Sequence, residues 1–333
     1  MRIEWPTVGV AGAVVSGFAA VLAGHERLPT AVVLVLLAVL AGWYNSLQHE
    51  VIHDHPTPWR RVNTAMAIVP LGLVVRFPDY RDSHIAHHRS PALTDPGLDP
   101  ESFYVSAETW RRYGPVRRAH ARIQRTLGGR LVLGPFVFAA RHWCHGFHLN
   151  QTVVGAGRIV GHIAGVLGVL AVVWWSGLPI WVYVTGVAWG GGAISLLRSF
   201  AEHRLPDGGT RSAVVRSGWF FSLLYLNNNL HHTHHAQPWV PWFRLPAAHM
   251  ESDGDAAAAA GAGLYRGYGE IVRRFLVRPF DHPVAGLPDP VDAPLESAIL
   301  PMDLTILPLE STVLPMELTG LPVELNGGME PSR

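Results

Sequence analysis

Three stretches without a formal charge constrain this chain more than any motif does. Trp5 to His25 spans 21 residues, Leu28 to His49 spans 22, and Ile159 to Leu197 spans 39, broken only by the turn-like Ser176-Gly177-Leu178-Pro179. A bilayer core of about 30 Å takes roughly 20 helical residues. The runs therefore predict four membrane spans, near residues 6–24, 30–48, 157–175 and 179–198. The first is not expected to be a cleaved signal peptide, because Arg2 is followed by Glu4 and no basic leader precedes the apolar run. Charged residues make up only 15% of the chain, against about 25% in soluble domains. A net charge of +1 leaves no basic field for phosphates, so a nucleic-acid partner is not expected. The single cysteine, Cys144, excludes a disulfide scaffold and any multi-cysteine metal site.

The remaining segments sort around the spans. Thirteen arginines lie between Arg60 and Arg141, whereas Arg27 is the only one between the first two spans. The positive-inside rule then predicts that both termini and the long segment are cytoplasmic. Two apolar stretches, Val62–Val75 and Leu131–Ala140, are too short to cross and read as interfacial or re-entrant helices. Residues 1–250 are expected to form the catalytic membrane domain, and 251–290 a cytoplasmic extension with an amphipathic stretch at Tyr265–Val277. Residues 291–333 hold a repeat, in which Pro294, Pro301, Pro308, Pro315 and Pro322 recur every seven residues, each with an acid two positions later. Proline at that period forbids a continuous helix, so an extended tail is expected there instead of a coiled coil.

Histidine is the compositional anomaly, with 19 in the chain. His49 and His53 are spaced i, i+4 at the end of the second span; His84, His87 and His88 are spaced i, i+3, i+4; His231, His234 and His235 repeat that spacing. Each set occupies one face of a helix, where imidazoles converge on a metal. His203 lies just beyond the fourth span. Two crossings separate the first clusters from His203 and the last, so all of them lie at one membrane surface. Imidazole suits Zn, Cu, Fe and Ni alike, and nine candidate ligands exceed what one ion takes, which argues for two metals. Scattered histidines such as His25, His120 and His249 read as ordinary surface residues.

The three boxes His49-x-x-x-His53, His84-x-x-His87-His88 and His231-x-x-His234-His235, with the lone His203, resemble the membrane fatty acid desaturase superfamily over about residues 40–246. Gln48-His-Glu-Val-Ile-His-Asp-His-Pro-Thr57, Tyr225-Leu-Asn-Asn-Asn-Leu-His231 and Pro241-Trp-Phe-Arg-Leu-Pro246 strengthen the likeness. The resemblance implies an all-α fold, with four transmembrane helices under a cytoplasmic helical cap that carries a histidine-rich di-metal site. It further implies two non-haem iron ions, held by the nine histidines just named, with O2 as co-substrate and a lipid acyl chain as substrate. Beside the ligands, Glu50, Asp54, Glu202, Asn229 and His232 are expected to support them, with Asp79 and Asp82 further candidates. Trp239, Trp242 and Phe243 are candidate walls of an acyl tunnel. Some members carry an Asn one turn before the lone histidine; Ser199 stands there in this chain. No fused electron donor is visible, so a separate carrier such as a ferredoxin is implied, and a bacterial cell membrane is the expected location. Desaturation is the expected reaction, with hydroxylation or ketolation as alternative outcomes on the same scaffold.

A rival reading starts from His49-Glu50-Val51-Ile52-His53, a literal H-E-x-x-H with Asp207 as a remote third ligand, as in zinc proteases. Pro56 follows too closely for a long helix there, and the other two boxes are left unexplained.

Overall fold

A computed structural model describes residues 3–149, 153–206 and 208–287. The chain separates into residues 1–292 and 293–333; the proline repeat of the second unit, like Asp207, lies outside the described residues.

The described part is mainly helical, and four of its helices are long and apolar enough to cross a membrane: Trp5–Arg27, Thr30–Ile52, Gly155–Trp175 and Ile180–Ser199. Sequence punctuation sets their ends. Pro6 opens α1 (Trp5–Gly24), and Pro29 and Pro179 stand immediately before α2 (Thr30–Ile52) and α9 (Ile180–Val184). Proline suits these positions because the first N–H groups of a helix lack partners in any case. Between α8 (Val153–Trp175) and α9 the turn uses Gly177 at φ 80°, a region open to glycine at no steric cost.

A π-helical turn, Thr185–Gly190, joins α9 to α10 (Gly191–Ser199) and lies against α2. The approach is so close that a Cβ at Gly186, Gly190 or Gly191 would lie 2.7, 2.7 or 2.5 Å from Leu37, Ala38 or Ala41. In an apolar solvent, helices hold together through this kind of backbone approach instead of through hydrophobic exclusion. The contact matters for the site, because α2 ends at the first histidine pair and α10 ends just before His203.

Both short apolar stretches differ from expectation. Val62–Val75 is a helix only at its start, α3 (Arg60–Ala67), and then runs irregularly. Its carbonyls are capped by side chains of the spans: Gln48 Nε2 donates to Ala67 O (2.8 Å), Tyr44 OH to Val69 O (2.6 Å), Tyr183 OH to Leu71 O (2.9 Å), and His162 Nε2 contacts Leu73 O (2.9 Å). Irregular backbone beside membrane helices is tolerable when protein groups satisfy it in this way. Leu131–Ala140 is instead the middle of a 23-residue helix, α7 (Leu127–Leu149). Gly134 and Gly192 let α7 lie tightly along α10, with Pro135 seated over Gly192.

Short helices and one small parallel sheet cover one end of the bundle. Outside the spans, the short helices after α3 are α4 (Phe77–His88), α5 (Ala107–Arg112), α6 (Pro115–Ile123), α11 (Trp219–Leu224), α12 (His231–Ala236), α13 (Leu245–Glu251), α14 (Gly254–Ala259) and α15 (Tyr268–Phe275), and β1 (Val214–Val215) pairs with β2 (Leu264–Tyr265). Residues 251–287, expected as a separate extension, belong to the same core. Ala262, Tyr265, Tyr268, Ile271 and Phe280 are buried against Leu127, Phe200, Val215 and Tyr225.

Candidate metal centre

Four pieces of backbone bring nine histidines together. His49 sits in the last turn of α2 and His53 caps it; α4 carries His84, His87 and His88; α12 carries His231, His234 and His235; and His203 lies on an isolated bridge to Ser212. They fall into two groups able to hold a metal ion: His49, His53, His84, His88 and His234 in one, and His87, His203, His231 and His235 in the other. Within each group the ligand atoms all lie within 4.8 Å of one another. His88 and His235, one from each group, stack at 4.1 Å, so the groups share a wall.

The nitrogen spacing is that of a coordination shell. Nε2 to Nε2 distances are 3.1 Å for His84–His88 and His88–His234, 3.0 Å for His87–His203, 3.2 Å for His87–His235 and 2.8 Å for His203–His231. Two nitrogens at right angles and about 2.1 Å from a common ion lie about 3.0 Å apart. Nε2 of His49 and of His53 are buried with no hydrogen-bond partner among the described residues. An unpaired buried polar atom is costly, and a cation beside it removes the cost. The donor set therefore fits a metal in each group.

Acceptors behind the rings fix which nitrogen faces inward. His87 Nδ1 lies 2.7 Å from Asp99 Oδ1, His84 Nδ1 3.1 Å from Glu101 Oε2, His231 Nδ1 3.1 Å from Asn228 Oδ1, and His203 Nδ1 3.2 Å from Arg211 O. Each of these oxygens accepts, so Nδ1 carries the proton and Nε2 presents its lone pair. Burial, with neighbouring imidazoles adding to it, lowers the His88 pKa to about 2 and that of His203 to about 3, and pushes His231, His234 and His235 well below their ordinary value. Burial thus favours the neutral imidazole, the form in which a histidine can bind a metal. His87 differs: burial pulls it down, but the Asp99 hydrogen bond and the Glu101 and Asp99 charges outweigh burial and raise it.

The supporting residues expected from sequence are placed variously. Glu202 is buried, 3.5 Å from His231 Nδ1 and 3.1 Å from Arg198 Nε. Glu50 is buried but turned towards Trp242, whose backbone N–H it accepts at 3.2 Å. Asp54 is largely exposed and lies 3.6 Å from Arg60. Asn229 donates its amide to Val215 O, and the neighbouring Asn228 meets the ring instead. His232 is outside both groups and only half-buried. Asp79 pairs with Arg76 and Arg158, and Asp82 with Arg158. Of the aromatic residues, Trp239 is exposed and Trp242 hydrogen-bonds Thr7; neither lines the cavity below. Asp99 and Glu101 carried no periodic signal, since they follow their histidines by 12 and 17 residues in a loop. Their cue is the turn-rich Asp95-Pro-Gly-Leu-Asp-Pro-Glu101 directly after the box.

A cavity of about 1250 Å³ reaches both groups. Its walls include His84, His87, His203 and His231, and the apolar Ala41, Val137, Phe138, Val187 and Leu196 from α2, α7, the π-helical turn and α10.

Four membrane-length helices, with two buried imidazole groups gathered from the end of α2, the segment after α10 and the short helices α4 and α12, define a histidine-box type of helical membrane protein. Residues 27–266 match the model of the fatty acid desaturase family, and the chain belongs to that family. No curated protein matches it.

Proposed function

We propose that each histidine group holds one iron ion, and that the protein is an O2-dependent oxidoreductase that desaturates a lipid acyl chain. The observation that carries this reading is the pairing of two neutral nitrogen shells with one apolar cavity that touches both. Bound iron would supply what side chains lack, activation of O2 for attack on an unactivated C–H bond. The chain's own residues do the rest. The nine imidazoles hold the ions, while Asp99, Glu101 and Asn228 keep the rings aimed. Ala41, Val187, Leu196 and Phe138 align the acyl chain and exclude water. Removing two hydrogens while O2 becomes two waters consumes two further electrons and two protons. A separate carrier such as a ferredoxin supplies the electrons, drawn to the arginine-rich segment between the second and third spans.

By the positive-inside rule the histidine end faces the cytoplasm of a bacterial cell membrane, where such a carrier is found. The protease reading loses support from Glu50, which is tied to Trp242, and from His49 and His53 gathering with His84, His88 and His234. Mass spectrometry of host lipids with and without expression tests the proposal. Acyl chains lacking two hydrogens, with a localised double bond, support it. Chains that gain an oxygen atom mark hydroxylation on the same scaffold, and an unchanged lipid profile contradicts both.

A further inference from the structure

Most charged groups that line the cavity are paired. Glu101 faces His84 and Ser83, Glu202 faces Arg198, and Asp79 and Asp82 face Arg158. Among the described residues, Arg130 on α7 is the exception that is also buried, with 2% of its surface exposed. Its Nε donates to Gln124 O at 2.8 Å and its guanidinium lies 3.9 Å over the Phe103 ring, but its Nη1 is buried with no hydrogen-bond partner among the described residues. Gln124 Nε2 is in the same condition. Both residues line the cavity. The nearby carboxylate, Asp281, is engaged by Arg125 and the Tyr104 hydroxyl. Burial, with Arg125 adding to it, lowers the Arg130 pKa to about 9.

We propose that Arg130, with the Gln124 amide beside it, binds the anionic oxygen head of the acyl substrate. The inference rests on the cavity being the acyl site. A buried guanidinium without a counter-ion is costly, and a carboxylate or phosphate meets its planar fork with two hydrogen bonds. Head site and apolar wall belong to one cavity: Gln124 and Arg130 line it together with Val137, Val187 and Leu196. Gly134, one turn along α7, packs against Leu196 and Arg130, where a Cβ would come 2.7 Å from Leu196 and 3.2 Å from Arg130 Cδ, and so holds both side chains in place. The substrate class is thus an acyl chain with a charged head, and a neutral ester or alcohol is excluded as the preferred substrate.

The test is equilibrium binding of palmitate, palmitoyl-coenzyme A and hexadecanol to the purified full chain in a non-ionic detergent. The wild type is expected to bind at least one of the two anions more tightly than hexadecanol. R130Q should weaken that anion by about tenfold to a hundredfold, with hexadecanol binding unchanged as proof of an intact cavity. Loss confined to palmitate identifies a carboxylate head; loss confined to palmitoyl-coenzyme A identifies a phosphate. Should R130Q not fold, R130K carries the test, since it keeps the charge but not the fork and must weaken the anion selectively. Anion affinity that is unchanged, or that falls by the same factor as hexadecanol, overturns the proposal and leaves the acyl cavity standing. Failure of all three ligands to bind the wild type overturns the acyl cavity itself, and the head site with it.

Discussion

His87 and His88 are neighbours in the chain, yet their imidazoles belong to different groups. Successive helical residues point about 100° apart, so one H-x-x-H-H box feeds two centres: His84 and His88 turn one way and His87 the other. In α12 the arrangement is mirrored, with His234 alone and His231 and His235 together. The spacing made the nine histidines legible, but how they divide depends on how α4 and α12 face each other, which no local pattern encodes. The residues that steady the rings were less legible for the same reason. Asp99 lies on a loop, and its bond to His87 is a tertiary fact. Asp99→Ala should lower metal affinity or turnover by about 10- to 100-fold, read by metal retention on dialysis and by product formation. Glu50→Gln keeps an acceptor oxygen for the Trp242 N–H and should change turnover by no more than about tenfold. A fall of several orders of magnitude, as for a lost general base, would count against this assignment.

At the scale of elements, charge-free runs sufficed to locate the four long helices, because helix length and polarity are properties of one segment. The irregular stretch after α3 and the full length of α7 were not legible. The first depends on Tyr44, Gln48, His162 and Tyr183 reaching across to its carbonyls, and the second on glycines that let α7 lie along α10. The same logic applies where α2 meets the π-helical turn. A leucine at Gly190 would drive into Ala38, and overpacking of this kind costs about 1–3 kcal/mol. Gly190→Leu should therefore lower the thermal midpoint in detergent and loosen the metals, because His49 sits on α2 and His203 follows α10, the two helices it separates. An unchanged midpoint would mean that this contact does not set the spacing of the site.

For the whole molecule, the boundary between catalytic unit and tail is the open architectural question with a direct answer. The buried positions of Tyr265, Ile271 and Phe280 place residues 251–287 in the same core as Leu127, Phe200 and Tyr225. A chain ended after Glu251 should fail to fold as a monodisperse species. One ended after Val291 should keep its metals and most of its activity in a reconstituted assay, because the proline repeat carries no histidine and only singly spaced acids. Metal loss in the longer truncation would make the repeat part of the fold.

The claim on which all of this rests is that nine histidines form two iron sites. Metal analysis of the purified, iron-replete chain beside its His87→Ala variant tests it most directly. Two iron ions per chain are expected in the wild type and fewer in the variant, with turnover abolished. A single zinc ion, or full iron content and full activity in His87→Ala, would contradict it.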